Sequence, residues 1–161
     1  VGRDKVAARL GLDFVLKTTE FFKLKADPAL RLRFAGADAA GRQKAADDMA
    51  AMPLPDAADV LAPLDQGIEW YLPLTRLCSL IEEVRDLDVF TINPGVARKT
   101  DWQQIAFKGG SEVGVASLVS ALTDKNGNHY CLAMTWNDDK ALDENRFTSL
   151  YGALIDKVAG K

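Results

Sequence analysis

The strongest constraint on the fold is the stretch VGVASLVSALT at residues 113–123, which is apolar or small on both faces of a strand. Successive side chains of a strand point to opposite faces. The two faces would carry Val113, Val115, Ser117 and Val119 on one side and Gly114, Ala116, Leu118 and Leu122 on the other. A strand without a polar face is typical of a central strand covered on both sides by helices.

The neighbouring segments supply partners for this strand. DWQQIAFKG at residues 101–109 predicts a preceding strand, and HYCLAMTW at residues 129–136 predicts a returning one. Between the last two strands, DKNGN contains Asn126-Gly127, a strong signal for a β-hairpin. The sequence therefore predicts three consecutive antiparallel strands.

Helices are predicted on either side of these strands. A terminal helix over residues 143–160 carries a nearly continuous apolar stripe: Phe147, Leu150, Tyr151, Leu154, Ile155 and Val158. An earlier helix is expected to begin with Thr75 as its N-cap, and its apolar positions repeat at helical spacing: Leu77, Leu80, Ile81 and Val84. Residues 88–95 (DVFTINPG) are expected to form a loop.

The first half of the chain has weaker patterns. We expect a short helix over residues 2–12 and a partly extended segment over 13–28. Two helices are expected within residues 29–51, separated near Gly36, and an irregular proline-containing connection over 52–67.

These elements predict an α+β fold in which helices pack on the faces of an antiparallel β-sheet. We expect one domain over residues 1–161, mostly helical in 1–100, with the strands and the terminal helix in 101–161. Apolar residues make up 48% of the chain and charged residues 27%, a balance that indicates a globular protein with a core of useful size.

Composition also argues against several classes of partner. The net charge of −3 gives no reason to expect binding to nucleic acid. No apolar run is long enough to cross a bilayer, and the polar start VGRDKVAARLGL is unlike a signal peptide. With one His and two isolated cysteines, we expect neither a metal site nor a cofactor. Cys78 and Cys131 are interpreted as buried thiols, with a single disulfide as the alternative.

The segment FKGGSE at residues 107–112 is the main candidate for a binding site. A lysine at the end of an edge strand can hold an anion, and glycines let a ligand approach the backbone closely. The backbone N–H that follows can face a developing oxyanion. The alternative is a surface lysine followed by a β-bulge.

In the context of strand, hairpin and closing helix, FKGGSE, DKNGNHY and TWND resemble the C-terminal part of class A β-lactamase-related serine hydrolases, within the penicillin-recognising superfamily. TTEFFKLKA, MPLP, IEWYLP and NPG resemble a branch of that family that lacks β-lactamase activity. The family carries three motifs: Ser-x-x-Lys, Ser-Asp-Asn, and Lys-Thr-Gly or a variant. Lys108-Gly109-Gly110 matches the third. The resemblance implies a periplasmic or secreted enzyme that forms an acyl-enzyme with a small amide or ester substrate.

The other two family motifs do not occur in the 161 residues. The resemblance therefore implies that the nucleophile, its lysine and the family's first strands belong to a missing N-terminal segment or a partner chain. We expect this chain alone not to be catalytic. Two other functions stay open: a non-catalytic binding module with this fold, and an autonomous α+β domain in which Lys-Gly-Gly is a bulge.

The resemblance also implies roles for individual residues. Lys108 would anchor the anionic group of the substrate and join the proton network around the nucleophile, and Gly110 would allow close approach. Ser111 would donate its backbone N–H to the oxyanion. Gly109 stands where β-lactamases usually have threonine, which argues against a β-lactam as the natural substrate.

Glu20 lies roughly where class A enzymes carry the glutamate that activates the deacylating water. Beside Phe21 and Phe22 its carboxyl group could have a raised pKa and act as a base. The alternative is an exposed acid or a charge at the start of a helix.

Overall fold

The computed structural model of the chain describes residues 2–60 and 67–161. These residues form two compact units, Val1–Tyr71 (unit 1) and Leu72–Lys161 (unit 2), and each is described by itself. The single domain expected over residues 1–161 stays a prediction. Within the connection predicted over 52–67, residues 61–66 lie outside the described part of the chain.

Unit 1 is helical. Its described residues form the α-helices α1 (Arg3–Leu10), α2 (Thr18–Ala26), α3 (Pro28–Ala35) and α4 (Ala39–Met49), followed by a 3₁₀ turn over Ala57–Val60. The helix predicted over 2–12 and the two helices predicted within 29–51 are confirmed. The segment 13–28 is less extended than expected, because residues 18–26 form α2.

Local signals explain where these helices begin and end. Gly11 ends α1 in the left-handed conformation, with φ 72°, which a glycine adopts without steric cost. Asp27 caps α3 by accepting a hydrogen bond from the Leu30 N–H at 2.9 Å, and Pro28 occupies the first turn. The apolar sides of α2, α3 and α4 meet in one core, whose buried members include Leu24, Phe34 and Met49.

Unit 2 contains the sheet. Two helices, α5 (Leu74–Val84) and α6 (Asp88–Thr91), precede the strands β1 (Gln104–Glu112), β2 (Val115–Thr123) and β3 (His129–Asn137), and α7 (Glu144–Val158) follows them. The predicted N-cap at Thr75 is wrong, since α5 begins at Leu74 with Pro73 as its N-cap. The loop predicted over 88–95 is partly wrong, because its first four residues form α6.

The strands lie in the order β1-β2-β3 and pair antiparallel, as predicted. The last hairpin joins Thr123 to His129 through the DKNGN loop, in which Gly127 has φ 85°. The first hairpin is tighter than expected, because β2 begins at Val115 and only Val113 and Gly114 form the turn. Gly114 has φ 77°, a conformation that favours glycine at this turn.

Both faces of β2 are covered, which confirms the central-strand prediction. On one face Leu122 packs with Ile105 and with Tyr151 and Ile155 of α7. On the other face Val119 and Ala121 pack with Ile81 of α5. The α+β fold with helices on the faces of an antiparallel sheet is therefore confirmed.

The apolar stripe of α7 is only partly buried. Phe147, Tyr151 and Ile155 face the sheet, whereas the other three predicted members are exposed to solvent: Leu150, Leu154 and Val158. Tyr151 is fully buried, and its hydroxyl donates to the Leu132 carbonyl at 2.8 Å and accepts from the Ser120 hydroxyl at 2.9 Å. Burial raises the pKa of Tyr151 to about 12, although the hydrogen bond with Ser120 lowers it slightly.

The two cysteines form a disulfide rather than the buried thiols that we favoured from the sequence. The bond joins Cys78 of α5 to Cys131 of β3, with Cα atoms 5.7 Å apart. Because 53 positions separate the two residues, spacing alone could not show that α5 would lie against β3. The bond fastens the helix to one face of the sheet.

None of the described helices has the length and apolar character required to cross a membrane.

We predict that removing the disulfide strongly destabilises unit 2. Closing a loop between residues 53 positions apart corresponds to about 4 kcal/mol in the chain-entropy model, within the range measured for disulfides. The double variant Cys78→Ala/Cys131→Ala should therefore unfold at a much lower urea concentration than the oxidised protein. Reductant should lower the urea concentration at which the native protein is half unfolded and should leave that of the double variant unchanged. Equal midpoints for the two proteins would contradict the prediction.

Candidate functional site

Lys108, Gly109, Gly110 and Ser111 lie in the second half of β1, at an edge of the sheet. Their pairing with β2 is continuous, from Gln104 opposite Thr123 to Glu112 opposite Val115. The interpretation of Lys-Gly-Gly as a β-bulge is therefore wrong, because a bulge would shift this register by one residue. The strand also continues three residues beyond the end predicted from the sequence.

These four residues line a groove of about 550 Å³ within unit 2. Its apolar lining comes from Phe107, Leu118, Phe147 and other residues of β1, β2, α6 and α7, and its polar groups include Asn93 and Glu144. Lys108 and Ser111 are exposed. The groove therefore combines an apolar lining with one ammonium group and several polar groups, as small-molecule sites commonly do.

Some backbone N–H and C=O groups of β1 point away from β2, toward the outer edge of the sheet. The Lys108 ammonium donates to the carbonyl of Gly109, so the Gly109 carbonyl points outward rather than toward β2. In an antiparallel pair, residues that exchange hydrogen bonds with the partner strand alternate with residues whose N–H and C=O point away. Ser111 is two positions beyond Gly109, so its N–H also points to the open edge, where a ligand oxygen can reach it.

The two glycines have different surroundings. A Cβ atom at Gly109 would lie 3.0 Å from Leu118 Cδ2 and 3.1 Å from Phe107 Cζ, whereas a Cβ at Gly110 would meet nothing within 4 Å. A Cβ at position 109 would therefore be tightly packed, and Leu118 and Phe107 would have to shift by a few tenths of an ångström to accept it. Gly110 leaves open space on its face of β1, which fits the access role expected for it.

The NPG segment, expected to be a turn, closes the groove beside β1. Gly95 has φ 61°, and a Cβ there would lie 2.6 Å from Phe107 Cε2. Asn93 Oδ1 accepts a hydrogen bond from the Gly95 N–H at 2.9 Å. Sequence reasoning missed Asn93, Glu144 and Phe147 as groove residues, because only tertiary packing brings α6, with Asn93 just after it, and α7, with Glu144 and Phe147, to this groove.

Glu20 has a structural role in unit 1. Its carboxylate forms two hydrogen bonds with the guanidinium of Arg3, at 2.7 and 3.0 Å, and accepts one from the Lys17 N–H at 2.8 Å. The last contact caps the first turn of α2. Glu20 is 7% exposed, so it is a buried charge at the start of a helix rather than an exposed acid.

The raised pKa expected for Glu20 is wrong. Burial does raise the pKa of this carboxyl, but the hydrogen bonds from Arg3 and Lys17 and the positive charges of both residues outweigh burial and lower it below its usual value. A carboxylate held in this way is a weak proton acceptor near neutral pH. Glu20 lies in unit 1, whereas Lys108–Ser111 lie in unit 2.

Within residues 2–60 and 67–161, His, Cys, Asp and Glu side chains form no group of three or more that could hold a metal ion.

The chain matches no known protein-family model, and no curated protein resembles it significantly. The likeness to β-lactamase-related hydrolases therefore stays an interpretation of its motifs, and the functional argument depends on the geometry of the groove.

We predict that Glu20→Gln destabilises unit 1 at neutral pH by about 2 kcal/mol, since hydrogen bonds to charged groups contribute this much. The folded pKa of Glu20 is below the unfolded one, so its contribution is complete above about pH 5 and is lost as the pH falls through the folded pKa. In urea unfolding, the difference between the two proteins should be largest at pH 7 and should diminish as the pH falls below about 5. A difference independent of pH would contradict this account.

We also predict that the protein tolerates alanine at Gly110 but is destabilised by alanine at Gly109. Gly109→Ala should destabilise unit 2 by about 1–3 kcal/mol, because Leu118 and Phe107 must move. Gly110→Ala is the matched control on the same strand and should change stability by less than about 0.5 kcal/mol. Thermal unfolding of both variants tests this, and equal effects would show that packing does not distinguish the two positions.

Proposed function

We propose that unit 2 supplies one wall of the active site of a β-lactamase-like serine hydrolase that works through an acyl-enzyme. The observation that carries the proposal is the placement of Lys108, Gly110 and Ser111 along an open strand edge that lines a groove of about 550 Å³. The serine nucleophile and its base would come from a segment or chain outside this sequence, since Ser-x-x-Lys and Ser-Asp-Asn do not occur in it.

In this proposal the residues of β1 bind the substrate and stabilise charge. The ammonium of Lys108 anchors an anionic group of the substrate as a point charge. The Ser111 N–H donates a hydrogen bond to the carbonyl oxygen, which becomes an oxyanion when the nucleophile attacks; such a donor typically accelerates the reaction by two to three orders of magnitude. The serine forms an ester as the amine or alcohol leaves, and water then hydrolyses the ester.

The dimensions and chemistry of the groove support a small amide or ester substrate. Its volume falls within the range of small-molecule sites. Phe107, Leu118 and Phe147 offer apolar contacts beside the strand, and Lys108 favours a carboxylate on the substrate. Residue 109 is glycine, so the threonine hydroxyl that β-lactamases usually present there is absent, and a Cβ at this position would lie close to Leu118 and Phe107. This favours an acyl substrate other than a β-lactam.

The disulfide supports a periplasmic or secreted location. Disulfides persist in oxidising compartments and are rare in the cytosol. Cys78–Cys131 joins a helix to the sheet inside unit 2, as a structural bond does.

A second candidate is a binding module with the same fold and no chemistry. The absence of both serine motifs from the 161 residues favours it. The two candidates share the groove and differ in whether a serine outside this sequence completes it.

We predict that the 161-residue chain binds small acylated amino-acid carboxylates weakly and reversibly at this groove. Amide shifts of residues 108–111 in NMR titrations with an N-acyl amino acid should move. Lys108→Gln should weaken binding about tenfold, because it removes the charge that pairs with the carboxylate. Lys140→Gln, a change outside the groove, is the control and should bind normally. Equal affinity of the native chain, Lys108→Gln and Lys140→Gln would show that Lys108 does not contribute to the binding site.

A covalent probe separates the two candidates. The protein expressed from its complete reading frame is treated with a fluorophosphonate and with a penicillin, and intact mass is measured. A serine adduct outside residues 1–161 supports the hydrolase. Reversible binding without any adduct favours the binding module.

A further inference from the structure

The groove beside β1 is lined by two charged side chains of opposite sign. Among the described residues that line it, Lys108 of β1 and Glu144 of α7 carry charge, and the others are apolar or uncharged. The proposed function uses the ammonium group of Lys108 and gives no role to the carboxylate of Glu144. A carboxylate in a ligand groove is a strong hydrogen-bond acceptor for a cationic group of the ligand.

The two charges reach the groove from different faces of β1. Leu118 lies on the sheet face that α7 covers, and Gly109 shares that face because it is the partner of Leu118. By strand alternation, Ser111 lies on the same face and Lys108 on the other. The Lys108 ammonium reaches the open edge, where it donates to the Gly109 carbonyl, whereas Glu144 approaches in the first turn of α7. A ligand at the Ser111 N–H would therefore have an ammonium group toward one face and a carboxylate toward the other.

A hydroxyl group accompanies the carboxylate. Thr148 also lines the groove, and both Thr148 and Glu144 are exposed. Because they are four positions apart on α7, they lie on the same side of the helix, one turn apart. A ligand ammonium has three N–H donors. The Glu144 carboxylate and the Thr148 hydroxyl are both able to accept from such a group.

Other charged residues near this end of α7 are directed elsewhere. Asp143 accepts a hydrogen bond from the Arg146 N–H and caps the helix. At 100° per residue, the Arg146 side chain lies on the opposite side of the helix from Glu144. Asp88 at the start of α6 and Glu112 at the end of β1 also lie outside the groove lining. Among the described residues, one ammonium group and one carboxylate therefore set the charge within the groove.

We propose that the groove binds acyl compounds that carry both a carboxylate and a cationic amine. Lys108 pairs with the carboxylate, and Glu144, assisted by Thr148, pairs with the amine. The inference rests on the proposed function and deepens it, since it names the substrate class of the same site. An acid in the first turn of a helix also stabilises the helix through its dipole, but that role predicts no preference between ligands.

Two matched ligands test the proposal. Nα-acetyl-lysine and Nα-acetyl-norleucine differ only in the terminal ammonium group, and NMR titration of the 161-residue chain measures the Kd of each. The native chain should bind acetyl-lysine about fivefold more tightly, as expected for one partly exposed ion pair. This preference should shrink at high salt, because ions screen the pair. Equal affinity of the native chain for the two ligands overturns the proposal without recourse to a variant.

Variants assign the preference to a residue. Glu144→Gln should abolish it and leave the affinity for acetyl-norleucine unchanged. Asp139→Asn is the matched control, because it removes an exposed carboxylate just before α7 and outside the groove; it should keep the preference. Lys108→Gln should weaken both ligands equally. A preference that persists in folded Glu144→Gln overturns the proposal, and a lowered thermal midpoint of that variant with an unchanged preference would indicate a role in the helix alone.

The outcomes distinguish this inference from the proposed function. Equal, Lys108-dependent binding of both ligands overturns the inference and leaves the hydrolase proposal intact. A preference that requires Glu144, without a serine adduct in the covalent-probe experiment, overturns the hydrolase and supports this ligand class for the binding module. Binding of neither ligand overturns the inference together with the part of the groove in the proposed function.

Discussion

The structure of unit 2 depends on β2 being buried on both faces. A strand that is apolar or small on both faces is destabilised when either face is exposed to water. Here α7 covers one face through Tyr151 and Ile155, and α5 covers the other through Ile81. The two hairpins place β1 and β3 on either side. Once β2 is central, the Lys-Gly-Gly segment must lie at an outer edge of the sheet.

The candidate site follows from that position. An edge strand has backbone groups without a partner strand, so the same geometry that exposes a protein to unwanted pairing offers donors to a ligand. At β1 these donors lie beside a lysine and a groove with an apolar lining. The β1 edge of the sheet is therefore suited to a small molecule that carries an anionic group.

A disulfide and several hydrogen bonds hold α5 on the face of the sheet opposite α7. Cys78 bonds to Cys131, and Arg85 at the end of α5 is buried, with hydrogen bonds to Gln104, Thr123 and His129. A buried guanidinium is tolerated when hydrogen bonds satisfy it, and Glu82 adds a charge partner at 2.6 Å. These contacts join α5 to all three strands. They hold α5 against one face of the sheet.

The sequence by itself determined the strand pattern, the DKNGN hairpin, the terminal helix and the α+β class, because these depend on local periodicity and turn residues. It also singled out residues 108–111. Tertiary structure decided three things that sequence spacing does not show: that Cys78 bonds to Cys131, that a side chain at position 109 would crowd Leu118, and that Asn93, Glu144 and Phe147 line the groove. Glu20 shows the reason most clearly. Its neighbours Phe21 and Phe22 indicated a raised pKa, but Arg3, seventeen positions away, lies against the carboxylate and lowers it.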